Sequence, residues 1–437
     1  MKFQLKTFLK ERQLVVSFYI LGLALRIIVA IISSFYQLPQ NFSDSDGNQL
    51  LNQLFTSTLE PFLDYRFYYT KFAYGFVYGG WLPYLSNMTF NSISVPFVYP
   101  PLFLYILSIP ALLNINLVFL PLFLADILLP IIVYKFLIKS TDQKVAEWGL
   151  LATVLCPLTI LYTGGLFLNT SLVTLFFIIA LYFLSIKKYN WATFFLAIAI
   201  LSKQTAIFFV YPILTYIFLK YRETNQTKLI FLKRAILNLG ILVLTLFLGS
   251  LPWILIAPEQ YLSNLSMGQN PTLFPEFLTP GSTWPLNWYS FLIPIKSPFW
   301  LLYLLGFLNF TLTGILVVEI VDLYLLIRWY RKKTLNWIKI LDLIVYTAIL
   351  THLFFPRGTY KYYFTFHVPL IVLWICFHYR ESLRSDLSKW KKIFFLFITI
   401  SLAFLLMYRY FYLLIVWAIF FLMLRKNIQL NHNVNRI

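Results

Sequence analysis

Two carboxylates stand one residue apart in Ser43-Asp44-Ser45-Asp46-Gly47, shortly after the first apolar segment. The chain has 437 residues and only 16 Asp and Glu, and acids beside a bilayer are costly unless solvated, paired or used. A carboxylate near a reacting hydroxyl can take its proton as a general base, an effect of about 10²–10⁴-fold. Asp44 and Asp46 are therefore candidate catalytic residues. The alternative is an Asx-type turn in a wet loop.

Three cations could bind a phosphate, namely Lys203, Arg357 and Lys361. Ser202-Lys203-Gln204 interrupts an apolar segment, 191–219, that is too long for one span and too short for two. A lone ammonium at that depth, roughly 18 Å above the inner side by helix rise, demands an anion or water. Arginine offers a bidentate grip on phosphate and lysine a point charge. For all three cations the alternative is interfacial anchoring, which for Arg357 and Lys361 would be among neighbouring tyrosines.

Arg26 and Asp126 lie inside apolar segments at matching depths, roughly 15 Å and 14 Å below the outer ends. Because an unpaired charge there costs on the order of 3 kcal/mol or more, we expect a structural ion pair. His352 and His367 show no metal-ligand spacing. His367 could assist catalysis, but we interpret it as a core histidine.

The elements that position these residues are membrane helices. The composition is 60% hydrophobic and 12% charged, with a mean hydropathy of +0.76, which predicts an all-α polytopic membrane protein. The net charge of +19 comes from short Lys and Arg clusters between apolar runs, as the positive-inside rule explains, and we expect no nucleic-acid partner. Cys156 and Cys376 lie within apolar segments and indicate neither a disulfide framework nor a metal site.

The whole chain, 1–437, is interpreted as a single membrane domain of about twelve spans with both termini cytoplasmic. Within the first external loop, 97–113 carries an apolar run too short for a comfortable span, so we expect a re-entrant or interfacial segment. The predicted parts are a first span at 14–36, a first external loop at 37–116, central spans at 117–257, a second external loop at 258–297, C-terminal spans at 298–424 and a tail at 425–437.

The order of several short motifs resembles the GT-C superfamily of integral-membrane glycosyltransferases, above all the first mannosyltransferase of glycolipid-anchor synthesis and the dolichol-linked glucosyltransferases. The motifs are Ser43-Asp44-Ser45-Asp46, Tyr99-Pro100-Pro101-Leu102, Leu124-Ala125-Asp126-Ile127-Leu128, Ser202-Lys203-Gln204 and Pro285-Leu286-Asn287-Trp288. The resemblance implies that Tyr99, Gln204, Asn287 and Trp288 join the cations in binding a lipid-phosphate sugar. Relatives often carry an acid near Gly164-Gly165-Leu166-Phe167-Leu168-Asn169, and none stands there.

The resemblance implies a glycosyltransferase that moves a hexose, mannose or glucose, from a polyprenyl-phosphate carrier to a glycolipid, glycan or protein on the outer side. The membrane would be the cell membrane or the endoplasmic reticulum. A divalent metal is possible, although two acids alone supply fewer oxygen ligands than a hard cation prefers. The alternative is a transporter or flippase of lipid-linked sugars, since broken helices and intramembrane charges also occur there.

Overall fold

A computed structural model describes residues 13–35, 65–86, 88–90, 93–223, 227–265, 314–354, 359–385, 387–408 and 411–434, with a few single positions between 292 and 305. Within these ranges the chain forms sixteen α-helices. They are α1 (Gln13–Phe35), α2 (Thr70–Tyr78), α3 (Pro101–Leu113), α4 (Leu120–Ser140), α5 (Gln143–Val154), α6 (Thr170–Ser185), α7 (Tyr189–Ser202), α8 (Val210–Glu223), α9 (Lys228–Ile256), α10 (Pro258–Leu265), α11 (Gly314–Arg331), α12 (Trp337–Phe354), α13 (His367–His378), α14 (Arg380–Ser385), α15 (Leu387–Leu406) and α16 (Tyr412–Val434).

Short turns of other helix types join several of these helices. The π-helical turns cover Tyr65–Tyr69 and Thr159–Gly165, and the 3₁₀ turns cover Ile115–Leu117, Gln204–Phe209 and Lys361–Phe366. One small antiparallel hairpin, β1 (Met88–Phe90) with β2 (Ile93–Val95), pairs Met88 with Val95 in the first external loop.

Four described helical segments are long and apolar enough to cross a bilayer: Val15–Ser33, Ile115–Ser140, Leu229–Ile256 and Trp337–Phe354. α5 and the following π turn make a fifth if this pair, bent by 67°, is one span. These helices support the predicted integral membrane protein. The count of about twelve spans stays a prediction.

The predicted first span, 14–36, corresponds to α1, and the predicted break at Ser202-Lys203-Gln204 lies where α7 ends. Lys203 itself is extended, with φ −158° and ψ 124°, and a 3₁₀ turn follows before α8. α3 begins at Pro101, where proline's missing N–H costs nothing. Its 13 residues rise about 20 Å, short of the roughly 30 Å of a hydrocarbon core. The re-entrant or interfacial placement of this segment stays a prediction.

A buried ion pair joins the first span to the helices that carry the site. Arg26 Nε donates to Asp126 Oδ2 at 2.5 Å, and both side chains are almost fully buried. The other guanidinium nitrogens donate to backbone oxygens of Gly22 and Val154 and to Thr159 Oγ1. Asp126 Oδ1 accepts a further hydrogen bond, from Thr163 Oγ1. The structure thus brings the predicted pair together and satisfies both of its members.

Glycine is required where the π turn approaches α1. A Cβ on Gly164 would lie 2.3 Å from Arg26 Cγ, and one on Gly165 would lie 2.2 Å from a methyl group of Val29. These glycines therefore allow the close contact that puts Arg26 beside Asp126.

Candidate functional site

Five of the predicted site residues, Asp44, Asp46, Asn287, Trp288 and Arg357, lie outside the residues that the structure describes. Their catalytic and substrate-binding roles stay predictions.

Lys203 lies in the break between α7 and the 3₁₀ turn, and its side chain is 3% exposed. The extended backbone releases this residue from the helix, and its Nζ donates to Asn169 Oδ1 at 3.0 Å. The same ammonium lies 4.0 Å from the ring centroid of Tyr363 and 5.6 Å from that of Tyr362. Cation–π contacts of this kind stabilise a buried ammonium without neutralising it.

Asn169 immediately precedes α6 and is as buried as Lys203. Its Nδ2 has no hydrogen-bond partner among the described residues. Two N–H donors, the Lys203 ammonium and the Asn169 amide, therefore lie together at the start of α6. The amino end of this 16-residue helix also favours an anion.

A cavity of about 50 Å³ opens beside Lys203. Val173, Phe208, Phe209 and Phe366 supply its apolar wall. Its polar lining comes from Thr170, Lys203, Thr205, Thr351, His352, Thr359, Tyr363 and His367. Hydroxyl groups, imidazoles and a tyrosine thus surround the ammonium in a cavity with room for a few water-sized groups, such as the oxygens of a phosphate.

His352 and His367 meet at this cavity, with ring centroids 5.1 Å apart. His367 Nε2 lies 2.7 Å from the backbone oxygen of Ala348 and Nδ1 lies 3.3 Å from that of Tyr363. A neutral imidazole has one N–H and donates to one of these carbonyls, of which that of Ala348 is the nearer. His352 differs. Its Nε2 lies 3.3 Å from Tyr412 Oη, but its Nδ1 is buried without a partner in the described part of the chain.

The signal that could have found this histidine pair is positional. His352 stands near the end of one predicted span and His367 near the start of the next, so a short turn would bring them to the same depth. Metal-ligand spacing along the sequence does not reveal this pair, because the two rings come from two consecutive helices.

Gln204 connects the break to the predicted first external loop, because its Nε2 donates to the backbone oxygen of Val98 at 2.9 Å. The contacts of Tyr99 lie within that predicted loop: its ring packs edge-on against Tyr69, and its backbone oxygen accepts from Tyr84 Oη at 2.6 Å. Neither predicted substrate-binding residue lines the cavity.

Lys361 is fully buried and its Nζ donates to the backbone oxygen of Leu405 at 3.1 Å and to that of Met407. These carbonyls lie at the carboxyl end of α15, where a cation also complements the helix dipole. Lys361 does not line the cavity. This geometry favours an anchoring role for Lys361 over the predicted contact with phosphate. The next two residues, Tyr362 and Tyr363, are the ones that contact Lys203.

Among the described residues, no three His, Cys, Asp or Glu side chains group as ligands for a metal ion. Whether Asp44 and Asp46 hold a divalent cation is a question about residues outside that part of the chain.

Residues 98–253 match the family model of dolichyl-phosphate-mannose-protein mannosyltransferases. The matched stretch contains Tyr99, Asp126, Asn169, Lys203 and Gln204, and stops before His352 and Tyr363. The match supports a GT-C glycosyltransferase, the family that the sequence motifs indicate. No curated protein matches the chain.

Proposed function

We propose that this GT-C glycosyltransferase moves a hexose, mannose before glucose, from a polyprenyl phosphate to a hydroxyl of a glycolipid, glycan or protein on the outer side of the membrane. The observation that carries the proposal is the Lys203 ammonium, buried at a helix break beside a cavity and within the stretch similar to mannosyltransferases.

The donor phosphate would bind Lys203 Nζ and Asn169 Nδ2 at the amino end of α6. Negative charge develops on this phosphate as the glycosidic bond to it breaks, and a preformed cation stabilises that charge. Arg357 stands two residues before Thr359, which lines the cavity, so a second cation lies close along the chain. The polyprenyl chain would remain in the bilayer.

The acceptor hydroxyl would attack the anomeric carbon while Asp44 or Asp46 takes its proton, and the phosphate leaves with the electrons of the broken C–O bond. The end of α1 supports this placement, because Ser33 Oγ donates to the backbone oxygen of Gly165 at 3.2 Å, in the turn that leads to Asn169. Asp44 follows Phe35 by nine residues, a reach of up to roughly 30 Å for extended chain.

The test is sugar transfer by the purified protein in liposomes, with radiolabelled mannosyl and glucosyl polyprenyl phosphates offered separately. We expect Asp44→Asn or Asp46→Asn to lower transfer by about 10²–10⁴-fold with donor binding retained, because an amide cannot take the proton. Lys332→Ala, in an exposed turn after α11, is a matched control that should retain activity.

A lipid-linked sugar flippase would move the labelled donor between leaflets without forming a glycosidic bond. Full transfer by both aspartate variants would refute the assignment of Asp44 or Asp46 as the general base. If the wild type moves the labelled donor between leaflets and forms no glycosylated product, the protein is a flippase and the transferase proposal is wrong.

A further inference from the structure

An apolar groove separate from the polar cavity lies between α13, α15 and α16, with a volume of about 280 Å³. Ile371, Ile400, Phe404 and Ile419 are among its walls. It opens to the lipid-facing surface at Leu396, 59% exposed, and at Leu422, 62% exposed.

The polar groups of this groove are already satisfied by the protein. Trp374 Nε1 donates to Asp342 Oδ1 at 2.9 Å, away from the groove that its ring lines. Ser401 Oγ donates to the backbone oxygen of Phe397 at 2.8 Å. The groove therefore offers an occupant mainly apolar surface, which suits a hydrocarbon chain.

The length of the groove matches one leaflet. Its lining on α15 extends from Ile393 to Phe404, a rise of roughly 17 Å and about half of a hydrocarbon core.

One end of the groove meets a basic surface. The exposed face of α15 carries Lys391 and Lys392 one turn before Phe395 and Leu396, and Leu396 also borders the groove. A cation pair beside the open end of an apolar groove is complementary to an anionic lipid headgroup.

The other end is separated from the polar cavity. Phe364 lines the groove, stacks on His367 at 4.9 Å between ring centroids and on Phe404 at 4.6 Å. These rings lie between the groove and the cavity that holds Lys203. The occupant therefore enters at the end near Lys391 and Lys392. It is not the polyprenyl chain of a donor whose phosphate binds Lys203.

We propose that this groove binds an acyl chain of an anionic phospholipid, in the leaflet on the side of Lys391 and Lys392, with its headgroup against these two lysines. The site is independent of the transferase reaction proposed above.

The test uses the full chain in phosphatidylcholine vesicles that contain chain-labelled, spin-labelled phosphatidylglycerol or phosphatidylcholine, and measures the immobilised fraction of each probe. We expect the wild type to favour phosphatidylglycerol. Lys391→Gln with Lys392→Gln should lower that preference by up to about fivefold per lysine. The control, Lys332→Gln with Lys333→Gln, removes the same charge from another exposed turn and should leave most of the preference.

Two groove-filling variants test the chain. Ile400→Trp occupies the groove, and Leu396→Trp does so from its exposed mouth, where a large ring is tolerated if the first variant fails to fold. Either folded variant should reduce the immobilised fraction of phosphatidylglycerol. The proposal is overturned if the two phospholipids bind equally, or if the two lysine pairs have equal effects. It is also overturned if both groove variants retain the preference, or if they displace a spin-labelled polyprenyl phosphate and not phosphatidylglycerol.

Discussion

Arg26 and Lys203 are both buried cations in a membrane protein, yet their surroundings differ. Arg26 faces a carboxylate at 2.5 Å, and its remaining nitrogens donate to protein oxygens in three different segments. Lys203 contacts the neutral amide of Asn169 and the faces of two tyrosine rings, beside a cavity and an amide nitrogen without a partner in the described part of the chain. A cation neutralised by a carboxylate inside the protein holds helices together, whereas a cation that lines a cavity can also contact a ligand bound there.

The largest effect should come from breaking the Arg26 pair. Arg26→Met leaves Asp126 buried without its cation, which should lower the free energy of unfolding by about 3–5 kcal/mol. Thermal unfolding of the purified protein in detergent measures this loss. Arg26→Met combined with Asp126→Leu removes both charges and should recover much of it. A double variant as unstable as the single one would show that the ion pair is not the cause.

Lys203→Met should behave in the opposite way. The flexible apolar side chain replaces the ammonium, so we expect sugar transfer from the lipid-phosphate donor to fall by about 10²–10³-fold while the unfolding temperature stays close to wild type. Activity assays and thermal unfolding of the same preparation separate the two effects. If Lys203→Met unfolds as readily as Arg26→Met, the contrast between the two cations is wrong.

Much of this arrangement follows from the sequence because membrane helices obey simple rules. Apolar length predicted α1, and the polar interruption at Ser202-Lys203-Gln204 predicted where α7 ends. Matching helix depths predicted that Arg26 and Asp126 face each other, since a bilayer fixes the vertical position of each residue.

Lateral neighbours could not be predicted in this way. Depth alone does not tell which helix faces which, so the contact of Lys203 with Asn169, 34 residues away, required the structure. Its charge and its position four residues after Arg357 grouped Lys361 with the phosphate ligands, yet its ammonium lies against carbonyl oxygens at the end of α15. His352 was missed because its partners, Tyr412 and His367, come from other segments.

Asn169→Asp tests the charge balance at Lys203 with a nearly isosteric change. The new carboxylate would pair with the ammonium and repel the donor phosphate, so we expect the apparent affinity for the donor to fall about tenfold, which is about 1.4 kcal/mol. Asn114→Asp is the matched control. Its side chain accepts a hydrogen bond from the backbone N–H of Asn116, which an aspartate accepts equally well. Unchanged donor affinity in Asn169→Asp would place the phosphate elsewhere.

The smallest effect concerns His352, whose two ring nitrogens have different surroundings. Nε2 lies 3.3 Å from Tyr412 Oη, and Nδ1 is buried without a described partner at the cavity. Asparagine places a polar group near the position of Nδ1, and glutamine places one near that of Nε2. If Nδ1 binds a substrate hydroxyl, His352→Gln should lose one neutral hydrogen bond, about 0.5–1.5 kcal/mol or a 2–12-fold fall in kcat/KM. His352→Asn should lose less. The reverse order, with glutamine the better replacement, would show that the contact with Tyr412 matters and that His352 belongs with Arg26 among residues that hold helices together.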